Sequence, residues 1–452
     1  MTSIARRIAE FVLGATDDDV PAADRAAIEM SCFDLVGVVL AGRTSRHAQM
    51  VEGLVRADGG PAECTVLGAG LRVPGISAAL SNATSAHADD FDDMGGYGHP
   101  SAPLLPALLA AAELRGGASG AELVTAYAVG FEVGAALCQL GHYDQYVRCF
   151  HSTPVFGTLA GVCAVARLLG LDTDRTVAAL ATAATFASGL GRNSGTMVKP
   201  LHAGQGAANA LLAALLARDG VSGAETVFEG RGGFWENLYG TSVSALDPIV
   251  ESLGNPYRSA RSLFIKGFPC CGSNQSALYG VREIVAREGL TAADVAEVVV
   301  HRMNETSPVL RYPAPAYGLN GKFSIQFTVG SLLLHGRLGI DEFADANTQD
   351  PAVRDMLGRV RPESLSRWDS RNAGKSAGNP VTVVTTDGRG FDAFVRRPEM
   401  PGSPRTPLAE EALVAKFTAN AARSSTDPQS LVGPWRHLDA LADVREAIEV
   451  TA

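Results

Sequence analysis

Several things are scarce in this chain of 452 residues, and each scarcity excludes a class of function. Seven cysteines stand at positions 32, 64, 138, 149, 163, 270 and 271, and none are in CxxC spacing. A thiolate zinc site or an iron–sulfur cluster is therefore not expected. The odd count, mostly inside apolar helical runs, reads as buried thiols in a reducing compartment, and hence as a cytoplasmic protein. Aromatic residues make up only 6 %, while alanine and glycine abound, which fits closely packed helices. Positive charge is in deficit as well, with a formal net charge of −10. Nucleic acid and an anionic membrane surface are thereby poor partners. The short apolar stretch from Ala5 to Thr16 lacks a credible cleavage site, and no segment reads as long enough for a membrane span. Internal repeats and low-complexity linkers are missing too. At this length two domains are expected.

One local absence is more telling. No Lys or Arg occurs between Arg72 and Arg115, yet four carboxylates fall within five positions of that window, at Asp89, Asp90, Asp92 and Asp93. They follow His87 and an apolar run of small residues. If the helix continues through 76–93, His87 and Asp90 lie three apart on one face, where a carboxylate can orient an imidazole. Glycines at 95, 96 and 98 then break the helix and return the chain to His99, which Pro100 holds extended. A solvated acidic helix end would explain the motif equally well in isolation.

Other segments supply company for it. His151 precedes the helix start Ser152-Thr153-Pro154. The stretch GRNSGTMVKPLHAG (191–204) is a glycine-bounded loop that carries Arg192, Lys199 and His202 ahead of an Ala-rich helix. Lys266 sits between apolar residues and a turn in FIKGFPCCG. A lone His before a helix is ordinarily a capping neighbour, and a lone Lys in a loop is ordinarily solvated. As a set they suit an anionic substrate: lysines and Arg192 to hold carboxylates, imidazoles to move protons, and an Asp to orient one of them.

Five ordered segments, HADDFDD with its following HPS, HSTPVFGTLAGVCAVARLLGLD, SGTMVKPLHAG, FIKGFPCC and GKFSIQF, resemble the MmgE/PrpD family over nearly the whole chain. That family contains 2-methylcitrate dehydratase, cis-aconitate decarboxylase and iminodisuccinate epimerase. The resemblance implies catalytic roles for Asp90, His99, His151, Lys199 and Lys266, and a homodimer. It also implies a mainly α fold: a large all-α domain over 1–265, completed by C-terminal helices in 403–452, and a smaller, lid-like α+β domain over 266–402. Departures stand at Met94, where decarboxylase-like members have Thr, at Cys271 in place of His, and at Phe327 in place of Tyr. The loop from Met94 to His99 is one residue shorter. Tyr97 is expected to point its hydroxyl into the pocket, offsetting the phenol absent at Phe327. Met94 and Phe327 would then make one wall apolar and disfavour citrate-like acids.

Periodicity and Ala/Leu richness place helices at 3–13, 22–41, 76–93, 101–115, 120–140, 153–169, 173–188, 203–218, 273–288, 323–336 and 407–422. Ser101 is the expected cap of the fourth. Alternation predicts a hairpin at 63–73, a strand over 294–302 and a hairpin joining 381–386 to 391–395.

The expected activity is a metal- and cofactor-independent lyase that removes a proton next to a carboxylate of a small di- or tricarboxylate. The alternative is an epimerase or isomerase using the same acid/base groups without expelling anything, and a third is a catalytically silent homologue. A cysteine hydrolase using Cys270 or Cys271 with His202 lacks any local signature, and GLGRNSG lacks the spacing of a phosphate loop. With no ligand set spaced for a metal, activity should persist after exhaustive chelation. Loss with EDTA that one metal restores would contradict this.

Overall fold

The computed structural model describes residues 2–148, 150–240, 246–302, 309–364, 378–424 and 427–452. With 60 % helix and 9 % strand, the protein is mainly α with a small α+β part. The first helices are α1 (Ile4–Gly14), α2 (Ala22–Gly42), α3 (Arg46–Asp58), α4 (Gly75–Ala86), α5 (Ser101–Arg115), α6 (Gly120–Arg148), α7 (Ser152–Leu168), α8 (Thr173–Phe186) and α9 (Val198–Arg218). Short α10 (Phe234–Tyr239) and α11 (Leu246–Glu251) follow, then α12 (Gly272–Glu288), α13 (Gly318–Gly321), α14 (Ile325–His335), α15 (Asp345–Gln349) and α16 (Pro351–Gly358). The chain closes with α17 (Glu410–Ala421), α18 (Pro428–Arg436) and α19 (Arg445–Glu449).

Apolar side chains form two clusters. One runs from Ile4 to Ile265 and also takes in Leu413, Phe417, Leu431, Trp435 and Ile448 from the C-terminal helices. The other runs from Phe264 to Met400. In the first cluster small residues let backbones approach closely: a Cβ on Gly204 of α9 would sit 2.2 Å from the Thr84 hydroxyl of α4. Close packing of this kind explains why so few aromatics suffice.

Strands β1 (Cys64–Val66) and β2 (Leu71–Val73) form the expected hairpin. A four-stranded sheet of order β4-β3-β5-β6 combines β3 (Val295–Arg302), β4 (Val360–Ser364), β5 (Val381–Thr385) and β6 (Gly390–Ala393). β3 pairs in parallel with β4 and antiparallel with β5, so Val298 faces both Val360 and Val383. β4 was not anticipated, because Pro362 and the charges around it disguise its alternation.

Three expectations need correction. Helix α4 ends at Ala86 rather than 93, because Asp90 has φ +53, a value that a helix cannot contain. Helix α9 begins at Val198, so Lys199 and His202 belong to its first turns; Pro200 is tolerated there because its missing N–H has no helical partner in any case. The third concerns membrane spans: Gly120–Gln139 of α6 is long and apolar enough to cross one, but 89 % of that window is buried inside the protein. Six of the cysteines are buried, and Cys149 lies outside the described residues.

Phe417 is the clearest link between the C-terminal helices and the first cluster. It is fully buried and stacks on Phe33 of α2, ring centroids 4.1 Å apart. Phe417→Ala should cost about 3–5 kcal/mol in urea unfolding. A loss below about 1 kcal/mol would mean that α17 is an appendage, not part of the core.

Candidate active site

The segment after α4 makes a turn that leaves Asp90 as the only non-glycine residue at positive φ among the described residues. Such a conformation is costly unless its surroundings impose it. Here three ammonium groups bind three successive backbone carbonyls. Lys322 Nζ donates to Asp89 O at 2.9 Å, Lys266 Nζ to Asp90 O at 2.7 Å, and Lys416 Nζ to Phe91 O at 3.2 Å. The three lysines come from the second apolar cluster, from the segment before α12, and from α17. The turn is thus fixed by residues remote in sequence.

All four carboxylates point inward and are buried, which excludes the solvated reading. Asp89 lies 3.3 Å from Lys322 Nζ. Asp90 receives Lys266 Nζ on Oδ1 at 2.5 Å, and its Oδ2 lies 3.5 Å from Lys199 Nζ. Asp92, not Asp90, orients His87: His87 Nδ1 lies 2.9 Å from Asp92 Oδ2. A five-residue spacing meets across the turn, whereas the helical i, i+3 pair does not exist. Asp93 accepts the Ser101 backbone N–H at 3.1 Å and its hydroxyl at 2.5 Å, so it caps α5, while the Ser101 side chain caps nothing.

The glycine loop brings His99 back over this turn. Gly98 has φ +128, and a Cβ there would meet Thr153 Oγ1 at 2.7 Å; only glycine lets the loop lie on the start of α7. The His99 backbone N–H donates to Thr153 Oγ1 at 3.1 Å. His99 Nδ1 lies 3.1 Å from the Asp93 carbonyl, and Nε2 lies 3.5 Å from Asp90 Oδ1. His151 stands at the N-terminus of α7 and shares a 3.0 Å Nδ1–Nδ1 hydrogen bond with His202. Lys199 Nζ lies 2.6 Å from His87 Nε2. The rings of His87 and His99 are 4.4 Å apart, and those of His87 and His151 are 5.7 Å apart.

A cavity of about 830 Å³ opens over these groups. His99, His151, Lys199, Met94 and Cys271 line it, together with Arg261, Arg311, Arg397 and Arg405. Among the described residues, no Asp or Glu lines it. An acidic protein therefore holds a cationic pocket. Several expected residues are placed elsewhere. Lys266 is fully buried beneath the cavity rather than lining it. Arg192 is exposed and offers only its carbonyl, to Arg311. His202 stands behind His151. Phe327 is wholly buried against Phe343 in the second cluster, and it is Phe323 that lines the wall. Tyr97 lies at the cavity's edge, but its ring is wedged against Gly134 and Gly157, and its hydroxyl donates to the Pro100 carbonyl at 3.4 Å. It does not replace the phenol missing at Phe327, and the apolar lining comes from Met94, Phe150, Phe264, Val309 and Phe323.

Sequence reasoning missed the pairing of His87 with Asp92, although both residues lie in the motif. It also missed the arginines at 261, 311, 397 and 405, which come from separate segments without any shared pattern.

Burial and charge divide the titrating groups. Burial would raise the Asp90 carboxyl, but Lys199 and Lys266 overcome it and hold the group well below the carboxylate range. Burial would lower Lys266, but Asp90 and Asp92 push it up. Lys199 goes the other way: burial and the Lys266 charge lower it against the pull of Asp90. Burial depresses every imidazole of the group, His87 to about 3, His202 to about 4, and His99 and His151 also downward. Burial lifts Asp93 to about 7. His87, His99 and His151 bring ring nitrogens within 4.8 Å of one another, as do His87 and His99 with Asp90 and Asp92. The Lys199 and Lys266 side-chain nitrogens stand among these groups, 2.6 Å from His87 Nε2 and 3.5 Å from His99 Nδ1 respectively.

Comparison with known proteins points to one family. The MmgE/PrpD N-terminal domain matches residues 6–245, and the MmgE/PrpD C-terminal domain matches residues 268–431. Cis-aconitate decarboxylase of Homo sapiens is 30 % identical over 388 residues, covering 82 % of this chain and 78 % of that protein. Cis-aconitate decarboxylase of Aspergillus terreus is 26 % identical over 420 residues, covering 86 % and 84 %. 2-Methylcitrate dehydratase of Salmonella typhimurium is 25 % identical over 277 residues, covering 59 % and 56 %.

The neutral imidazoles make stability depend on pH. Their folded values lie below the unfolded value of about 6.5, so their contribution is complete above that pH and is lost as pH falls through the folded values. Asp93 works in the opposite sense: its contribution is complete below 3.8 and is lost as pH rises through about 7. With His47, also lowered by burial, five imidazoles outnumber the three carboxyls raised by burial, Asp34, Asp93 and Glu132, between pH 7 and 4.5. The thermal midpoint should therefore fall across that interval, and a flat or rising midpoint would refute the neutral cluster.

Proposed function

The chain belongs to the MmgE/PrpD family, and from that premise we propose that it is a lyase of the dehydratase or decarboxylase type acting on a small di- or tricarboxylate. The observation that carries the substrate class is the cavity: Lys199 and four arginines line it, and among the described residues no acid does. In a protein of net charge −10, such a concentration of cations has no role in solubility. It fits the named activities of the relatives, which are decarboxylation of cis-aconitate and dehydration of 2-methylcitrate.

The chemistry follows from what surrounds the cavity. A proton next to a carboxylate is weakly acidic, so its removal needs a base and fixed positive charge for the electrons left behind. Lys199 faces the substrate. Lys266 is tied to the Asp90 carboxylate and supplies charge from below. His99 and His151 line the cavity from two different segments and are held neutral, which suits proton transfer near pH 7. Lys199, buried yet lining the cavity, argues against a silent homologue, since buried charge is costly without a use. Lys266 also holds the Asp90 turn, so its removal should disturb local structure as well as charge.

The test is incubation with cis-aconitate, 2-methylcitrate and succinate in deuterated water. Deuterium uptake with release of water or carbon dioxide is the expected result for at least one tricarboxylate. Uptake and inversion without loss of a group would mark an epimerase. No exchange with any acid would remove the proposal.

A further inference from the structure

We propose that Lys199 is the base that removes the substrate proton, and that the buried Asp92–His87 pair positions its amine for that step. This rests on the lyase reading above and names the group that performs the first move of a dehydration. In a decarboxylation the electron pair comes from the breaking C–CO2 bond, and the same amine, protonated, delivers the proton to carbon. His87 Nδ1 donates to Asp92 at 2.9 Å, which fixes the tautomer and leaves Nε2 as a bare acceptor. Lys199 Nζ lies 2.6 Å from that Nε2. It also lies 3.5 Å from Asp90 Oδ2, a buried oxygen with no other hydrogen-bond partner. Two of the amine's N–H bonds thus face acceptors on the protein. The remaining tetrahedral position faces the cavity that Lys199 lines. In the neutral amine that position holds the lone pair.

Lys266 is not equivalent. It is enclosed by the Asp90 carbonyl at 2.7 Å, Asp90 Oδ1 at 2.5 Å and His99 Nδ1 at 3.5 Å, and it does not reach the cavity. The titratable and charged groups around Lys199 are Asp90, Asp92 and His87 from the turn, Lys266 and Cys271 from the segment leading into α12, and His151 and His202 beside α9. Burial and Lys266 press Lys199 towards the free amine, while Asp90 and Asp92 press it back.

In the step itself the Nζ lone pair takes the proton as the C–H bond breaks. The C–H electron pair passes into the adjacent carboxylate. The new ammonium donates to His87 Nε2 and to Asp90, and the Asp92–His87 pair stabilises it as charge develops. Return of a solvent deuteron from the same ammonium completes an exchange cycle that needs no other reactant.

Lys199→Arg separates a base from a clamp, because it keeps the positive charge but cannot give up its proton near neutral pH. In the full chain, cis-aconitate should still raise the thermal midpoint of Lys199→Arg, while deuterium exchange with the acids above falls at least about 100-fold. Asp92→Asn is isosteric and reverses the His87 tautomer, so it should lower kcat about 100-fold or more with little change in KM. His87→Gln, which keeps an acceptor oxygen, should recover part of the activity that His87→Leu loses. If Lys199→Arg retains more than a tenth of the exchange, Lys199 is not the base. Wild-type kcat in both Asp92→Asn and His87→Leu would overturn the positioning role, and these isosteric and apolar variants remain informative should the arginine variant fold poorly. A wild-type protein that exchanges with none of the acids overturns the lyase reading, a result distinct from exchange that survives substitution.

Discussion

A buried carboxylate at a strained turn, Asp90, is the constraint on which the site depends. A left-handed conformation at a non-glycine residue costs free energy, and an uncompensated buried charge costs more. Both costs are met by the same device. Lysines from three remote segments bind the carbonyls of Asp89, Asp90 and Phe91, and two of the site's lysines flank the Asp90 carboxylate. The turn therefore forms only when the first cluster, the second cluster and α17 have come together. The geometry of the candidate site thus draws on remote parts of the fold, and the C-terminal helix carrying Lys416 and Phe417 contributes to a site it does not line.

Charge is also sorted by depth. Asp90, Asp92 and Lys266 lie beneath the cavity, the two carboxylates held ionised and Lys266 charged. His99 and His151 line the cavity beside Lys199 and the arginines, and of the three imidazoles around the turn only His87 lies below it. The cations that reach the cavity are Lys199 and the arginines, while the Asp90 carboxylate does not line it. Deep desolvation of this kind gives two chemically identical lysines opposite tendencies, because only one of them is tightly bound to Asp90.

Much of the helical body was legible from the sequence, because a 3.6-residue period survives wherever one helix face is buried. α5 was placed to the residue, and the strands at β3 and β5 emerged from alternation. The boundaries near the site were not legible. Asp90 ends a pattern that continues through Asp93 in composition, and only tertiary ion pairs impose the turn. The motif residues Asp90, His99, His151 and Lys199 do meet, as their shared family pattern implied. The partner of His87 was misassigned because helical spacing does not apply across a turn. Phe327 was placed in the pocket by its motif, yet helix α14 turns it into the second core and presents the neighbouring Phe323 instead. The arginines at the mouth carry no sequence signal, since only folding assembles them.

The central claim is the opposite electrostatic fate of the two lysines around Asp90. It is tested most directly by a nitrogen-15 NMR titration of lysine side chains, with Lys199 and Lys266 assigned by single Lys→Arg variants. The account predicts that Lys199 loses its proton below the ordinary lysine value of 10.5 and that Lys266 keeps its own above it. Titration of both at the ordinary value, or Lys266 losing its proton first, would contradict the account.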